Sequence, residues 1–193
     1  AILPALGILA AAATVLFERT PTRYTQMGGS AKAATTIASD GRVEGYVDAK
    51  AGTPQGYVQA IGTYAQANDY QDGSRQLVHS AYKRASLTGI AGWTPDEDTR
   101  LEASVINSHG QAAYGDRSMD GSRFDRDNIG LKFEKTRINA SLKKVEAQLY
   151  YNYIDHVMDN FSLRTPPASS SSWMASNPDR KTTGARLATT LTP

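Results

Sequence analysis

Apolar and polar residues alternate in long runs along this chain, and the alternation restricts its possible folds more than any other feature. The clearest run has apolar side chains at odd positions and polar side chains at even ones: Val145, Ala147, Leu149, Tyr151 and Tyr153 against Glu146, Gln148, Tyr150 and Asn152. Successive side chains of a β-strand point to opposite faces of the sheet, so this run predicts a strand with one apolar and one wet face. The runs 98–108 and 127–136 repeat the pattern.

Eight strand-like runs, separated by polar, Gly-rich or Pro-rich breaks, predict an all-β fold. The predicted strands span residues 30–38, 42–50, 56–68, 76–93, 98–108, 127–136, 138–154 and 183–192. Several of them exceed ten residues. Strands of soluble proteins usually have about 5 or 6 residues, whereas a tilted membrane strand needs about 9 to 11.

The predicted connections alternate in length, which bears on the architecture. Tight turns lie at 52–55, 94–97 and 136–137, whereas longer connections lie at 69–75, 109–126 and 155–182. The first hairpin, closed by Asp40-Gly41, is short where a longer loop is allowed. Short turns at one end and long loops at the other indicate an antiparallel up-and-down transmembrane β-barrel segment, with a soluble all-β binding module as the alternative.

The composition argues against several classes of function. The net charge is only +2 and the basic residues form no tract, which gives nucleic-acid binding little support. The chain has no cysteine, so it holds no disulfide, thiolate zinc site or cysteine nucleophile. It carries no His-Glu-x-x-His motif and no nucleophile elbow, so we do not expect an enzyme. The most apolar stretch, 1–16, is shorter than the roughly 20 residues of a membrane-spanning helix.

Four segments carry a resemblance to a known family. TVLFER at 14–19 resembles the end of the plug domain of TonB-dependent outer-membrane receptors, and GWTPDEDTRLE at 92–102 resembles a strand-turn-strand of their barrels. YGDRSMDGSRFDR at 114–126 resembles an outer loop of the copper receptors within that family. The most specific match is YIDHVMDNFSLR at 153–164, whose His-x-Met corresponds to part of the copper site of those receptors.

The resemblance implies a domain organisation and a function. Residues 1–25 would form the end of the plug and a linker, with 1–13 atypical, and residues 26–193 the first part of the barrel. The chain would supply about eight strands of a roughly 22-stranded barrel, and we expect it to be an internal fragment. The implied function is copper import across the outer membrane of a Gram-negative bacterium, driven by the TonB energy-coupling protein through the missing plug region. The implied partners are the copper ion, as transported ligand, and outer-membrane lipid. A receptor for another metal chelate or a siderophore is the alternative.

The candidate metal ligands are His156 and Met158. Imidazole nitrogen and thioether sulfur suit copper, and thioether favours Cu(I) in particular. Their i, i+2 spacing puts both side chains on one face of a strand, in phase with the wet residues if no bulge intervenes. The competing interpretation is a polar loop-edge histidine and an ordinary packing methionine. In the family a Cys-x-x-x-Met pair of the plug completes the site, and this chain has no cysteine.

Other residues with possible chemistry are interpreted as structural. His79 and His109 are expected to be structural histidines, and Met119 and Met174 to pack in loops. Trp93 and the tyrosines at strand ends fit aromatic girdles at a membrane interface, with core packing as the alternative.

Overall fold

The computed structural model describes residues 23–192, and these residues form β-strands with one short helical turn. The strands are β1 Gly28–Ile37, β2 Val43–Thr53, β3 Gly56–Ala67, β4 Tyr70–Gln71, β5 Leu77–Val78, β6 Tyr82–Trp93, β7 Thr99–Ala112, β8 Asp120–Thr136, β9 Leu142–Asp159, β10 Ala175–Ser176 and β11 Asp179–Leu191. The helical turn is 3-10, Ser170–Ser172. Across residues 23–192 no helix is both long and apolar enough to pass through a membrane. The predicted plug segment 14–19 and the atypical stretch 1–13 lie outside the described residues.

The long strands form one antiparallel sheet in chain order. Its order is β1, β2, β3, β6, β7, β8 and β9, and β10 and β11 both pair with the free edge of β9. The short strands β4 and β5 form a separate hairpin within the β3 to β6 connection. Each long strand therefore pairs with its neighbour in sequence, which confirms the predicted all-β, up-and-down arrangement of a barrel segment.

The turns follow from local chemistry. Asp40 and Gly41 both have positive φ, 57° and 63°, as the two central residues of a type I′ hairpin require. In the β6 to β7 turn, Asp96 accepts hydrogen bonds from the amides of Asp98 at 2.8 Å and Thr99 at 2.7 Å. A hydrogen bond from the Thr99 hydroxyl, together with these amides, lowers the pKa of Asp96 to about 2.

The connections fall into two groups at opposite ends of the sheet. The end with residues 54–55, 94–98 and 137–141 is called here the short-turn end. The other end carries 38–42, 68–81, 113–119 and 160–178 and is called the loop end. Short and long connections therefore alternate along the chain as predicted, and the β1 to β2 hairpin is the one short connection at the loop end.

The sheet has one apolar and one polar face. The apolar face comprises the odd positions of β1, β2, β6, β7, β8, β9 and β11 and the even positions of β3, because cross-strand partners share a face. Its large side chains are exposed: Val47, Val58, Leu87, Trp93, Val105, Ile129, Leu131, Phe133, Leu149 and Leu187. Leu149, at 56%, is typical of them. Such a continuous exposed apolar surface is unusual for a soluble protein and typical of a face that contacts another apolar phase.

The apolar face is slightly shorter than the apolar band of a membrane barrel and has aromatic margins. On β9 it extends from Val145 to Tyr153, and at about 3.4 Å per residue this is roughly 27 Å along the strand. A strand tilted by about 35–45° spans roughly 19–22 Å of height over that length, compared with about 25 Å for the apolar band of an outer-membrane barrel. Trp93 is exposed on this face near the short-turn end, and Tyr64 is exposed nearer the loop end. These positions agree with the girdle interpretation rather than with core packing.

The polar face carries paired charges and amides. Lys144 contacts Glu134 at 2.9 Å and Glu146 at 3.0 Å, and Asn128 donates to Asn152 at 2.7 Å. Near the loop end a hollow of about 920 Å³ opens on this face, with Glu44, Arg84 and Phe124 among its lining residues. Glu146, Gln148 and Asn152 were predicted to face water. They lie on the same face as the other polar side chains of the sheet.

Several predicted strand bounds were wrong. The run 76–93 is interrupted, because the Asp69 carboxylate accepts the amides of Ser80 and Ala81, both at 2.8 Å, and turns the chain away from the sheet. The run 138–154 begins later, at Leu142, because Asn139 accepts the amides of Ser141 and Leu142 within the turn 137–141. At the loop end the strands are longer than predicted: β7 ends at 112, β8 begins at 120, β9 ends at 159 and β11 begins at 179.

Candidate metal site

His156 and Met158 lie on the polar face of β9, near the loop end. β9 runs to Asp159, five residues beyond the predicted strand end, and its alternation is unbroken there because the irregularity in the β8 to β9 pairing lies on β8, at Ser122. His156 is opposite Phe124, and Met158 is opposite Gly121. On the other side, Met158 is opposite Ser176 of β10. The predicted sharing of a face by the two side chains is therefore present.

The imidazole of His156 is enclosed on one side by an aromatic ring. The centroids of the His156 and Phe124 rings are 4.5 Å apart, and the rings are tilted by 47°. The backbone amide of His156 donates to the carbonyl of Pro178 at 3.2 Å. The Nε2 atom is buried and has no hydrogen-bond partner among residues 23–192. A buried polar atom left in that state costs about 1–3 kcal/mol, and a bond from this nitrogen to a further group would recover that cost.

The residues that follow Met158 fix the start of the β9 to β10 loop. Asp159 is buried and accepts hydrogen bonds from the amides of Phe161 at 3.1 Å and Ser162 at 2.7 Å, and from the Ser162 hydroxyl at 2.8 Å. Burial raises the pKa of Asp159, but hydrogen bonds from Ser122, Ser162 and the backbone outweigh it and hold the pKa below its usual value. The chain next to Met158 is therefore rigidly held.

An ion pair that the sequence analysis missed joins the loops around this site. Arg164 donates through Nε to Asp120 at 2.7 Å and through Nη2 to the second oxygen of the same carboxylate. It also donates to the carbonyl oxygens of Tyr114 at 3.0 Å and Arg117 at 2.9 Å. Asp120 is fully buried and accepts further bonds from His79 Nε2 and the Tyr114 amide, each at 2.9 Å.

This group, Asp120, Arg164, His79 and Tyr114, is called here the loop latch. Burial alone raises the pKa of Asp120, but the hydrogen bonds from Arg164 and His79 and the Tyr114 amide hold it well below its usual range. The latch connects the β3 to β6, β7 to β8 and β9 to β10 connections. Its only sequence signal is that Asp120 and Arg164 each lie inside a segment with the family resemblance.

The histidines predicted to be structural occupy places that agree with that interpretation. His79 belongs to the latch, and His109 contacts Asp125 at 2.9 Å on the apolar side of β7, beyond the apolar band. Met119 is half-buried in the β7 to β8 loop, whereas Met174 in the β9 to β10 loop is 44% exposed, so the packing predicted for Met174 is not observed. Within 23–192 no three His, Asp or Glu side chains group as a metal site. The described chain therefore offers His156 and Met158 as one soft pair of donors.

The single-layer antiparallel sheet, with an exposed apolar face and a polar face, is the wall of a β-barrel. The chain is similar to one solved structure in particular, that of the copper transporter OprC, with 45% sequence identity and a TM-score of 0.85. The match covers 91% of this chain and 27% of that structure, so the chain spans about a quarter of its length. The resemblance found in the sequence is thereby confirmed. No protein-family model and no curated protein gives a significant match.

Proposed function

We propose that this chain forms part of the barrel wall of a TonB-dependent receptor that imports copper across the outer membrane. In this proposal His156 and Met158 supply two of the copper ligands, and copper is the transported substrate. The similarity to a copper transporter supports the cargo. The observation that carries the ligand assignment is the Nε2 of His156, which is buried and has no hydrogen-bond partner within the described residues 23–192, on the same strand face as the Met158 thioether.

The chemistry of the pair favours copper over the common hard cations. Neither imidazole nor thioether is a donor that Mg²⁺ or Ca²⁺ selects, whereas a thioether selects Cu(I). Two donors leave the ion under-coordinated, so further ligands come from the plug region of the complete receptor. His156 and Met158 lie on the face that would be the lumen wall, where a plug-borne donor can reach them.

The two faces of the sheet support the membrane assignment. The exposed apolar face would contact outer-membrane lipid, and the polar face would enclose the lumen. The loop end would then lie outside the cell and the short-turn end in the periplasm, since outer-membrane barrels have long outer loops and short periplasmic turns.

The contacts of Arg23 and Tyr24 support the proposed domain boundary at residue 25. Arg23 donates to the carbonyl oxygens of Asp96 at 3.0 Å and Thr99 at 3.3 Å, in the turn between β6 and β7. Tyr24 lies against Gly52, on the polar face. The chain entering β1 therefore crosses the polar face at the short-turn end. A plug that precedes it would be delivered into the lumen, where the TonB protein could pull on it.

The test is copper stoichiometry in the full-length receptor, purified and folded in detergent. We expect His156→Ala and Met158→Ala to weaken copper binding by roughly 10- to 100-fold, because each removes a donor that water replaces poorly for Cu(I). Gln148→Ala, on the same face of the same strand, is the matched control and should bind copper normally. Unfolding free energies should change by less than about 1 kcal/mol, since neither side chain fills an apolar core. If both variants keep wild-type affinity, His156 and Met158 are not ligands.

A further inference from the structure

A glycine allows an aromatic ring to lie flat on β8 beside the candidate ligands. A Cβ atom built on Gly121 would lie 2.1 Å from two ring carbons of Phe124, which is closer than real atoms approach. The Phe124 ring therefore occupies the space that a side chain at position 121 would need. Any residue other than glycine there would push the ring away.

The β-bulge at Ser122 makes this arrangement possible. Residues three apart in a regular strand point to opposite faces, but the extra residue puts Gly121 and Phe124 on the same polar face. Gly121 is opposite Met158, and Phe124 is opposite His156. A ring that begins beside His156 and extends over Gly121 therefore spans the positions opposite both candidate ligands.

The ring contacts the imidazole directly and restricts it. With the ring centroids 4.5 Å apart at 47°, Phe124 covers one side of His156 and limits its rotation. The Nε2 atom stays buried, and the apolar ring offers no donor or acceptor to it. In the described part of the chain the nitrogen thus has no competing hydrogen bond, and the ring holds it in one direction.

We propose that Phe124, kept in place by Gly121 and the bulge at Ser122, is a positioning residue for the copper site. This inference rests on the proposed function, because Phe124 acts through His156 and does not itself bind the metal. Its ring orients the imidazole toward the ion and excludes water from that side. Groups around a metal site that orient its ligands typically contribute 10- to 100-fold to affinity.

The test measures the Cu(I) dissociation constant of the full-length receptor by competition with a chromophoric chelator. Phe124→Leu keeps an apolar side chain but removes the flat ring, and Gly121→Ala displaces the ring with a Cβ atom. We expect each to weaken Cu(I) binding by about tenfold, the low end of such effects. Phe124→Tyr retains the ring and should bind within about threefold of wild type, a difference below 1 kcal/mol.

A double-mutant cycle tests whether Gly121→Ala acts by displacing the Phe124 ring or by a general disturbance of the local structure. In a Phe124→Ala background there is no ring to displace, so adding Gly121→Ala should cost no further affinity. If Phe124→Leu does not fold, Gly121→Ala alone and the Phe124→Tyr rescue still decide the matter. Wild-type affinity in Phe124→Leu and Gly121→Ala, with loss in His156→Ala, overturns this inference and leaves the proposed function standing. If His156→Ala also binds normally, the proposed function fails and this inference with it.

Discussion

Replacing Arg164 with alanine should release the connections at the loop end while leaving the sheet intact. The substitution removes both hydrogen bonds from Arg164 to the Asp120 carboxylate and the bonds to the carbonyls of Tyr114 and Arg117. Breaking a buried ion pair by removing one partner costs about 3–5 kcal/mol, because the other charge stays buried. Asp120 is fully buried, but the Arg164 side chain is 24% exposed, so the lower end, about 3 kcal/mol, applies.

Amide hydrogen exchange measures this loss locally. Since 1.4 kcal/mol is a factor of ten, a loss of about 3 kcal/mol should speed exchange in 113–119 and 160–174 by roughly 100-fold. Peptides around Leu149 should exchange at the wild-type rate, because the pairing of β9 in the apolar band does not involve the latch. Arg180→Ala removes an exposed arginine near the same end and is the matched control. An acceleration below about threefold, less than 1 kcal/mol, would refute the view that Arg164 holds the loops.

Three further results are expected. Since hydrogen bonds hold the pKa of Asp120 below its usual range, the stability that its carboxylate contributes is present above the usual carboxylate pKa and is lost as pH falls through the lower folded value; the protection factors of the loop amides, with the intrinsic pH dependence of exchange divided out, should therefore hold down to about pH 4 and fall below it, and Asp120→Asn should abolish this dependence. If the exposed apolar face contacts lipid, Leu149→Arg should destabilise the receptor in lipid by about 2–4 kcal/mol and Gln148→Arg by less than about 1 kcal/mol, because only position 149 lies on that face; equal effects would overturn the face assignment. Gly41→Ala should cost about 1–2 kcal/mol in chemical denaturation, because position 41 needs positive φ; an unchanged midpoint would contradict the type I′ turn.

The two faces of the sheet could be predicted well from the sequence, because the segregation of apolar side chains onto one face determines them. Between Val145 and Tyr153, apolar residues recur with period 2, and the structure places them on one exposed face. The Asp40-Gly41 turn could also be predicted, since few residue pairs accept positive φ at both central positions. The shared face of His156 and Met158 followed from their spacing once β9 continued without a bulge.

The strand ends at the loop end could not be predicted from the same signal. Beyond the apolar band, β7 and β8 carry His109, Asp125 and Asp127 on the face that is apolar lower down. Both faces are polar there, so the alternation disappears although the strands continue. A hydrophobic pattern therefore marks where a strand meets the apolar phase, and not where its hydrogen bonding ends.

The contacts around the candidate metal site could not be predicted from the sequence for a different reason. Asp120 and Arg164 are 44 residues apart, and His79 lies 41 residues before Asp120. Phe124 and Gly121 share a face only because of the bulge at Ser122, and no local sequence pattern predicts that bulge. Contacts of this kind depend on register between strands, and register is a property of the folded sheet.

X-ray absorption at the copper edge of the Cu(I)-loaded full-length receptor would show whether His156 and Met158 are ligands, because it reports the atoms bound to the ion. We expect sulfur and imidazole nitrogen among the atoms bound to copper, one sulfur neighbour fewer in Met158→Leu, and loss of the imidazole signature in His156→Ala. Leucine keeps the approximate volume of methionine, so a change in that variant reports ligation rather than packing. Identical spectra for wild type and both variants would contradict the claim that His156 and Met158 bind the transported copper.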